Sequence, residues 1–265
     1  MPIPNPIAFT LFNIDIRWYG ILIAAGIILA TLLVYKRAPI HGIESEKTLD
    51  FILICVPVGV IGARLYYVAF NWEYYAGDIF KIINTREGGL AIHGGLIFGM
   101  GAAVLLCLLW KYKPLNVLDL AVPAVALAQA IGRWGNYFNS EAHGGPTDLP
   151  WGIIVEGQKV HPTFLYESIW CFVLFLILLY VDNNRSFEGQ TALLYGILYS
   201  FERFFVEYLR TDSLMLFGVL KQAMVLSAAV FIICIALYVV LSRKAKRNGK
   251  IFYGGYSKYT GKFKK

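Results

Sequence analysis

The chain has 265 residues, of which 58% are hydrophobic and only 15% charged, and its mean hydropathy is +0.59. A soluble domain carries about 25% charged residues, so these figures exclude a soluble globular protein and imply several membrane spans. The net charge of +7 is not a nucleic-acid footprint, because nine of the 24 Lys and Arg lie in residues 243–265. A basic cluster beside a span sets topology and touches anionic lipid.

An uncharged stretch of about 20 residues crosses a bilayer. In chain order the expected spans are residues 18–35, 51–71, 88–110, 119–138, 162–181, 190–209 and 222–242. The first and last are clean, and the third is uncharged apart from His93. The second carries Arg64, the fourth Arg133, the fifth Glu167, and the sixth Glu202, Arg203 and Glu207. The expected fold is an all-α integral membrane protein with seven transmembrane helices. Residues 1–242 form one transmembrane catalytic domain with a long loop at 139–161, and 243–265 form a basic tail. Lys36, Arg37, Lys47, Lys111, Lys113, Arg185 and the tail fall on one side. Lys81, Arg86, Lys159, Arg210 and Lys221 fall on the other. The positive-inside rule then puts the N-terminus outside and the C-terminus in the cytoplasm.

Gly132-Arg-Trp-Gly-Asn-Tyr-Phe-Asn-Ser-Glu-Ala-His-Gly144 is the most informative segment. It sets Arg133, Asn136, Asn139 and Glu141 at the end of an apolar run. A charge at mid-helix costs upwards of about 2.5–3.5 kcal/mol in a bilayer, so intramembrane charges mark function. Asn136, Asn139 and Glu141 also read as helix-capping and turn residues, with Gly144-Gly145-Pro146 closing the turn. Tyr199, Arg203, Glu207 and Arg210 are spaced four, four and three, which places them on one helical face. They form either an internally paired stripe at the membrane rim or an anion clamp in which Glu207 holds an arginine. Arginine suits the clamp because its planar fork binds phosphate oxygens in pairs and keeps its charge.

His93 sits among glycines, and Gly95-x-x-x-Gly99 is a small-xxx-small pair that lets helices approach closely. It reads either as a packed core histidine or as a general base. His161 reads as a supporting residue. Arg64 and Asp119 offer a structural pair across spans two and four. On the expected topology Tyr19, His93, the segment 133–144 and the segment 203–210 all fall in the outer half of the membrane. The loop 139–161 lies on that side and covers them. Cys55, Cys107, Cys171 and Cys234 stand singly and carry no redox or metal pattern. No nucleophile elbow, metal-ligand cluster or phosphate loop is present, so no metal or other cofactor is implied.

These residues resemble the prolipoprotein diacylglyceryl transferase family of bacteria, whose pattern G-R-x-G-N-[FY]-x-N-x-E-x-x-G is matched by 132–144. The likeness extends to Trp18-Tyr19, His93-Gly94-Gly95, His161-Pro162, Leu165-Tyr166-Glu167, and Arg203 with Glu207 and Arg210. It implies transfer of the diacylglyceryl group of phosphatidylglycerol to the lipobox cysteine of an exported prolipoprotein. A thioether forms and glycerol phosphate leaves. It also implies a multi-pass protein of the bacterial cytoplasmic membrane with its site toward the outer leaflet. His93, Arg133 and Arg203 are then catalytic. Tyr19, Asn136, Asn139, Glu141, Gly144, Tyr199, Glu207 and Arg210 bind substrate. The partners are phosphatidylglycerol, prolipoproteins and membrane lipid, with no nucleic acid. A transporter or flippase of an anionic lipid is the alternative, although its polar groups belong near the midplane. An intramembrane hydrolase would need a nucleophile paired with a base of its own.

Overall fold

The computed structural model describes residues 5–85, 88–211, 213, 215–216 and 219–247. Long apolar runs fold as helices because hydrocarbon offers no partner for an open backbone amide. They are α1 (Trp18–Arg37), α2 (Ser45–Phe70), the short α3 (Trp72–Tyr75) and α4 (Ile79–Ile83), α5 (Ile92–Leu109), α6 (Pro114–Phe138), α7 (Thr163–Asn183), α8 (Gln190–Leu209) and α9 (Gln222–Arg247). Three two-stranded antiparallel hairpins accompany them: β1–β2 (Ile7–Leu11, Ile14–Arg17), β3–β4 (Ile153–Val155, Gln158–Val160) and β5–β6 (Met215–Leu216, Leu220–Lys221).

Among the described residues, six helices are long and apolar enough to cross a membrane: α1 with the turn that follows it, α2, α5, α6, α7 and α9. The remaining expected span, residues 190–209, corresponds to α8. α8 forms with the expected bounds, but Glu202, Arg203 and Glu207 make it too polar to qualify on composition. Two helices start earlier than hydropathy suggests. α2 begins at Ser45, where Lys47 and Asp50 pair at 3.0 Å across one turn. α6 begins at Pro114, whose fixed φ suits a first helical turn. α9 continues past Ser242 through Arg243 and Lys244 to Arg247. The rest of the expected tail, 248–265, and Arg86 lie outside the described residues.

The chain divides into two units, residues 35–117 and residues 1–34 with 118–265. In the 35–117 unit, α2 and α5 meet through glycines. A Cβ on Gly99 would come within 3.5 Å of the Cys55 carbonyl and 3.6 Å of Gly59 Cα. The small-residue pair expected at Gly95 and Gly99 is therefore a helix interface. Arg64 uses all five of its N–H donors on backbone carbonyls of α4 and of the segment that follows it. Nε donates to Ile82 at 2.8 Å, Nη1 to Gly88 and Gly89 at 2.9 Å each, and Nη2 to Lys81 at 2.6 Å and Asn84 at 2.8 Å. The pair expected between Arg64 and Asp119 is thus replaced. Arg64 is consumed by carbonyls that a carboxylate could not satisfy, and Asp119 is paired with Arg185.

In the other unit α6, α7 and α8 pack around Val122, Ala126, Leu174 and Leu178, with Tyr195, Leu198 and Tyr199 against them. One end of this bundle is pinned by Asp119. Its carboxylate accepts the backbone N–H of Gly189 at 2.6 Å and of Ala192 at 2.9 Å, and pairs with Arg185 at 3.3 Å. A carboxylate from α6 therefore caps α8, favourably placed for the helix dipole. Asp182 stands 3.7 Å from Arg185 and accepts Thr191 Oγ1 at 3.2 Å. All four side chains are buried.

The expected loop 139–161 contains a folded hairpin. Glu156 and Gly157 take φ of 48° and 81°, the left-handed pair that a two-residue turn requires. Its Ile153, Val155 and Val160 pack on Phe164 and Tyr137, which fixes it to the start of α7 and the end of α6.

Asp119→Ala removes the α8 cap and one of the carboxylates paired with Arg185. We expect a loss of about 3 kcal/mol, the low end for breaking a buried pair, read as a lower unfolding temperature in detergent.

Candidate active site

The opposite end of the α6–α7–α8 bundle holds the charged cluster. Arg133 lies 14 residues beyond Asp119 along α6, about 21 Å at helical rise. α6 ends there at Phe138, α7 begins there at Thr163 and α8 ends there at Leu209. Antiparallel packing thus brings Arg133, Glu167 and Arg203 together from three helices.

Glu167 is the hub. Its Oε2 is 2.5 Å from Arg133 Nη2, and its Oε1 accepts from Arg203 Nη1 at 3.3 Å. The contact to Arg133 is a close ion pair without in-line hydrogen-bond geometry. Arg203 Nη2 donates to Glu207 Oε2 at 2.5 Å, one helical turn away. Arg133 Nη2 also donates to Tyr199 Oη at 3.4 Å, and Tyr199 stacks on Tyr195 with ring centroids 5.3 Å apart. Exposure orders the layers. The Arg133 and Arg203 side chains are 20% and 18% exposed, whereas Glu167 is 1% and Glu207 4%. The carboxylates are buried, whereas the two arginine side chains remain partly accessible. Each guanidinium carries five N–H donors, more than these partners use.

The glycine-rich segment is tied to this end of the bundle by backbone bonds. Gly144 N–H donates to the His161 carbonyl at 2.9 Å, Gly145 N–H to the Leu209 carbonyl at 3.0 Å, and His161 N–H to the Gly145 carbonyl at 3.0 Å. A Cβ on Gly144 would press on His161, on Thr163 and on the Leu209 carbonyl. Thr163 Oγ1 closes the segment onto the carbonyl of Ala142. Ser140 and Ala142 both take positive φ, 58° and 57°, so the chain leaves α6 by a tight bend. Asn136 gives its carbonyl to the Glu141 N–H at 3.0 Å, and Asn139 Nδ2 reaches Glu141 Oε1 at 3.4 Å. Asn139 Oδ1 remains buried without a partner among the described residues.

Tyr19, at the start of α1, lies over Gly135, where a Cβ would collide with its ring. The neighbouring Trp18 stacks on Phe138 at 5.3 Å. The expected helical face is corrected at one position. Tyr199, Arg203 and Glu207 share it, but Arg210 lies past the helix end with extended backbone, φ −73° and ψ 144°. Gly144 bridges to Arg210 in an antiparallel register there. His161 Nδ1 lies 3.3 Å from Tyr166 Oη, which accepts Trp151 Nε1 at 2.9 Å. His93 belongs to the 35–117 unit. It stands in the first turn of α5, its ring 6.3 Å from that of Tyr66.

Two residues outside the expected set matter here. Glu167 is a lone carboxylate in an apolar run, which was signal enough to mark it. Lys221 is the other. Its Nζ donates to the carbonyls of Glu207 at 2.8 Å, Tyr208 at 3.1 Å and Arg210 at 2.5 Å, closing the C-terminus of α8. Nothing local in the sequence distinguishes that lysine from a topology signal.

Fold and cluster define a multi-pass helical membrane protein with a buried arginine–carboxylate site. A family model described as prolipoprotein diacylglyceryl transferase matches residues 6–240, and the chain belongs to that family. It is similar to the phosphatidylglycerol–prolipoprotein diacylglyceryl transferase of Clostridioides difficile, at 54% identity over 91% of this chain and 97% of that protein. The enzymes of the same name from Finegoldia magna and Clostridium novyi are each 48% identical. They cover 88% and 93% of this chain, and 94% and 99% of their own lengths are matched.

Glu167→Gln keeps the shape of the hub but removes its charge from between two arginines. We expect a loss of about 3 kcal/mol in stability and more than about tenfold in turnover, measured by thermal unfolding and by activity in detergent.

Proposed function

We propose that this chain transfers the diacylglyceryl group of phosphatidylglycerol to the lipobox cysteine thiol of an exported prolipoprotein. The observation that carries the site assignment is the cluster of two partly accessible arginines from separate helices, each paired with a buried carboxylate. A phosphodiester fits that arrangement, because paired guanidinium donors match its oxygens.

A thioether product fixes the bonds. The cysteine sulfur forms a bond to the glycerol carbon that bears the phosphate ester. The carbon–oxygen bond breaks, and its electron pair goes to the phosphate oxygen of the departing glycerol phosphate. The thiol proton passes to a base, the role we give His93. The nucleophile belongs to the substrate, which accounts for a sequence that shows no catalytic serine or cysteine motif. Tyr19, Asn136, Asn139, Glu141, Gly144 and Arg210 shape the lipid site, and Tyr199 and Glu207 orient the arginines.

α8 serves as the seventh span, its charges shielded by α6 and α7. With the N-terminus outside, the cluster lies at the outer leaflet of the bacterial cytoplasmic membrane, where lipid headgroups and exported polypeptide meet. The basic residues that follow α1, α5, α7 and α9 support that orientation.

Magnitudes rank the groups. A free cysteine with pKa about 8.5 is roughly 3% thiolate at pH 7, so a base gains at most about 30-fold in thiolate. Fixed donors on a departing oxyanion contribute about 10²–10³ each. We expect Arg133→Ala and Arg203→Ala each to lower kcat by about 10²–10³, and His93→Ala by no more than about 30-fold. The assay is acyl-labelled phosphatidylglycerol with a lipobox peptide, the adduct being read by mass spectrometry. An inactive His93→Ala beside a near-normal Arg203→Ala would reverse the ranking.

The reaction itself is tested by the adduct, which must disappear when the peptide cysteine becomes serine. Lipid binding without any adduct in active membranes would point to lipid transport instead.

A further inference from the structure

The hairpin that leads into α1 has no part in the chemistry above. Phe9 pairs with Ile16 and Leu11 with Ile14, so these four side chains share one face of β1–β2. Thr10 and Asp15 pair on the opposite face, where Thr10 Oγ1 donates to Asp15 Oδ1 at 2.7 Å. The turn is Phe12-Asn13, and Phe12 is 90% exposed. Phe9, Leu11 and Ile14 are exposed too, and the two strands pack chiefly on each other. The hairpin is thus amphipathic, with an apolar face and an aromatic tip that the described residues leave open.

The turn does not ask for that ring. Both turn residues take left-handed φ, 49° and 61°, a conformation that suits Asn or Gly and strains a bulky side chain. A phenylalanine held there without a partner in its own chain points to a partner outside it.

The place of the hairpin says what that partner is. β2 ends at Arg17, and α1, a span by length and composition, begins at Trp18 with no linker. Trp18 N–H donates to the Pro6 carbonyl at 3.0 Å, which fastens the base of the hairpin to the first residue of the span. The base therefore stands at the membrane boundary, where aromatic side chains meet lipid headgroups.

Two lengths decide the orientation. A five-residue strand reaches about 16 Å, whereas the headgroup region extends only about 5–8 Å beyond the hydrocarbon. A hairpin standing along the membrane normal would hold Phe12 in water. Full insertion fails for the opposite reason, since the outer edges of a two-stranded ribbon carry N–H and C=O groups that hydrocarbon cannot satisfy. Lying flat meets both constraints, with the apolar side chains dipping inward and the Thr10–Asp15 pair facing water.

We propose that β1–β2 is a membrane-docking hairpin, with Phe9, Leu11, Phe12, Ile14 and Ile16 seated in the lipid of the leaflet at which α1 begins. It fixes the depth of the residues that follow it, where Trp18 stacks on Phe138 and Tyr19 lies over Gly135. The lipid contact stands whatever reaction the chain catalyses.

The test uses the full chain in vesicles of phosphatidylglycerol and phosphatidylcholine. A photoreactive benzophenone side chain replaces Phe9, Thr10, Phe12 or Asp15, one at a time, and adducts are read by mass spectrometry after illumination. All four positions are exposed, so the fold tolerates the replacement. The expected result is at least about fivefold more lipid adduct at Phe9 and Phe12 than at Thr10 and Asp15. A second reading uses Phe12→Trp in lipids brominated near the headgroup end or near the methyl end of the acyl chain. The difference from wild type isolates the new indole from the six native tryptophans. Quenching should be stronger with bromine near the headgroup end. Equal lipid adducts at all four positions would overturn the proposal, as would adducts to a second copy of the chain in place of lipid. An indole that neither brominated lipid quenches would overturn it as well.

Discussion

Glu167 is the interaction on which the site depends. One carboxylate, 1% exposed, stands between Arg133 from α6 and Arg203 from α8. Two guanidiniums brought together in a low-dielectric region repel one another, and neither gives up its proton. A shared counter-charge on a third helix resolves the conflict and sets the distance between them. Glu207 adds a second carboxylate to Arg203 from within α8. Each arginine is therefore paired with a carboxylate and still carries N–H donors that these partners do not use.

That arrangement needs helix ends held in register, and the opposite end of the bundle supplies the register. Asp119 caps α8 and pairs with Arg185, so α6 is locked to the start of α8. Lys221 closes the other terminus of α8, and Gly145 bonds to the Leu209 carbonyl beside it. Arg203 and Glu207 thus sit on a helix fixed at both ends. Sites built on such elements are held more tightly than sites on loops.

Much of this was legible in the sequence. The helix bounds of α8 and the apolar cores of α1, α5 and α9 follow from composition. Arg133, Arg203 and Glu207 stand out because charge in an apolar run demands a partner. What hydropathy could not give was partner identity. Asp119 and Arg64 are one acidic and one basic group in separate spans, yet each is satisfied elsewhere, Arg64 by five carbonyls that carry no sequence mark. The hairpins were hidden for a related reason. Glu156-Gly157 is a two-residue turn, but strands of three residues leave little alternation to read. In β1–β2 the turn residues are Phe12 and Asn13, both at positive φ, and a phenylalanine gives no turn signal.

The central claim is that Arg133 and Arg203 act on one phosphate, held apart by Glu167. A double-mutant cycle in kcat tests it most directly, using Arg133→Lys, Arg203→Lys and the double variant, since lysine keeps the charge but loses the fork. Residues that grip one anion are coupled, so the loss in the double variant should fall short of the product of the single losses by about tenfold or more. Losses that multiply without coupling would mean that the two arginines act independently, and the shared phosphate site would be wrong.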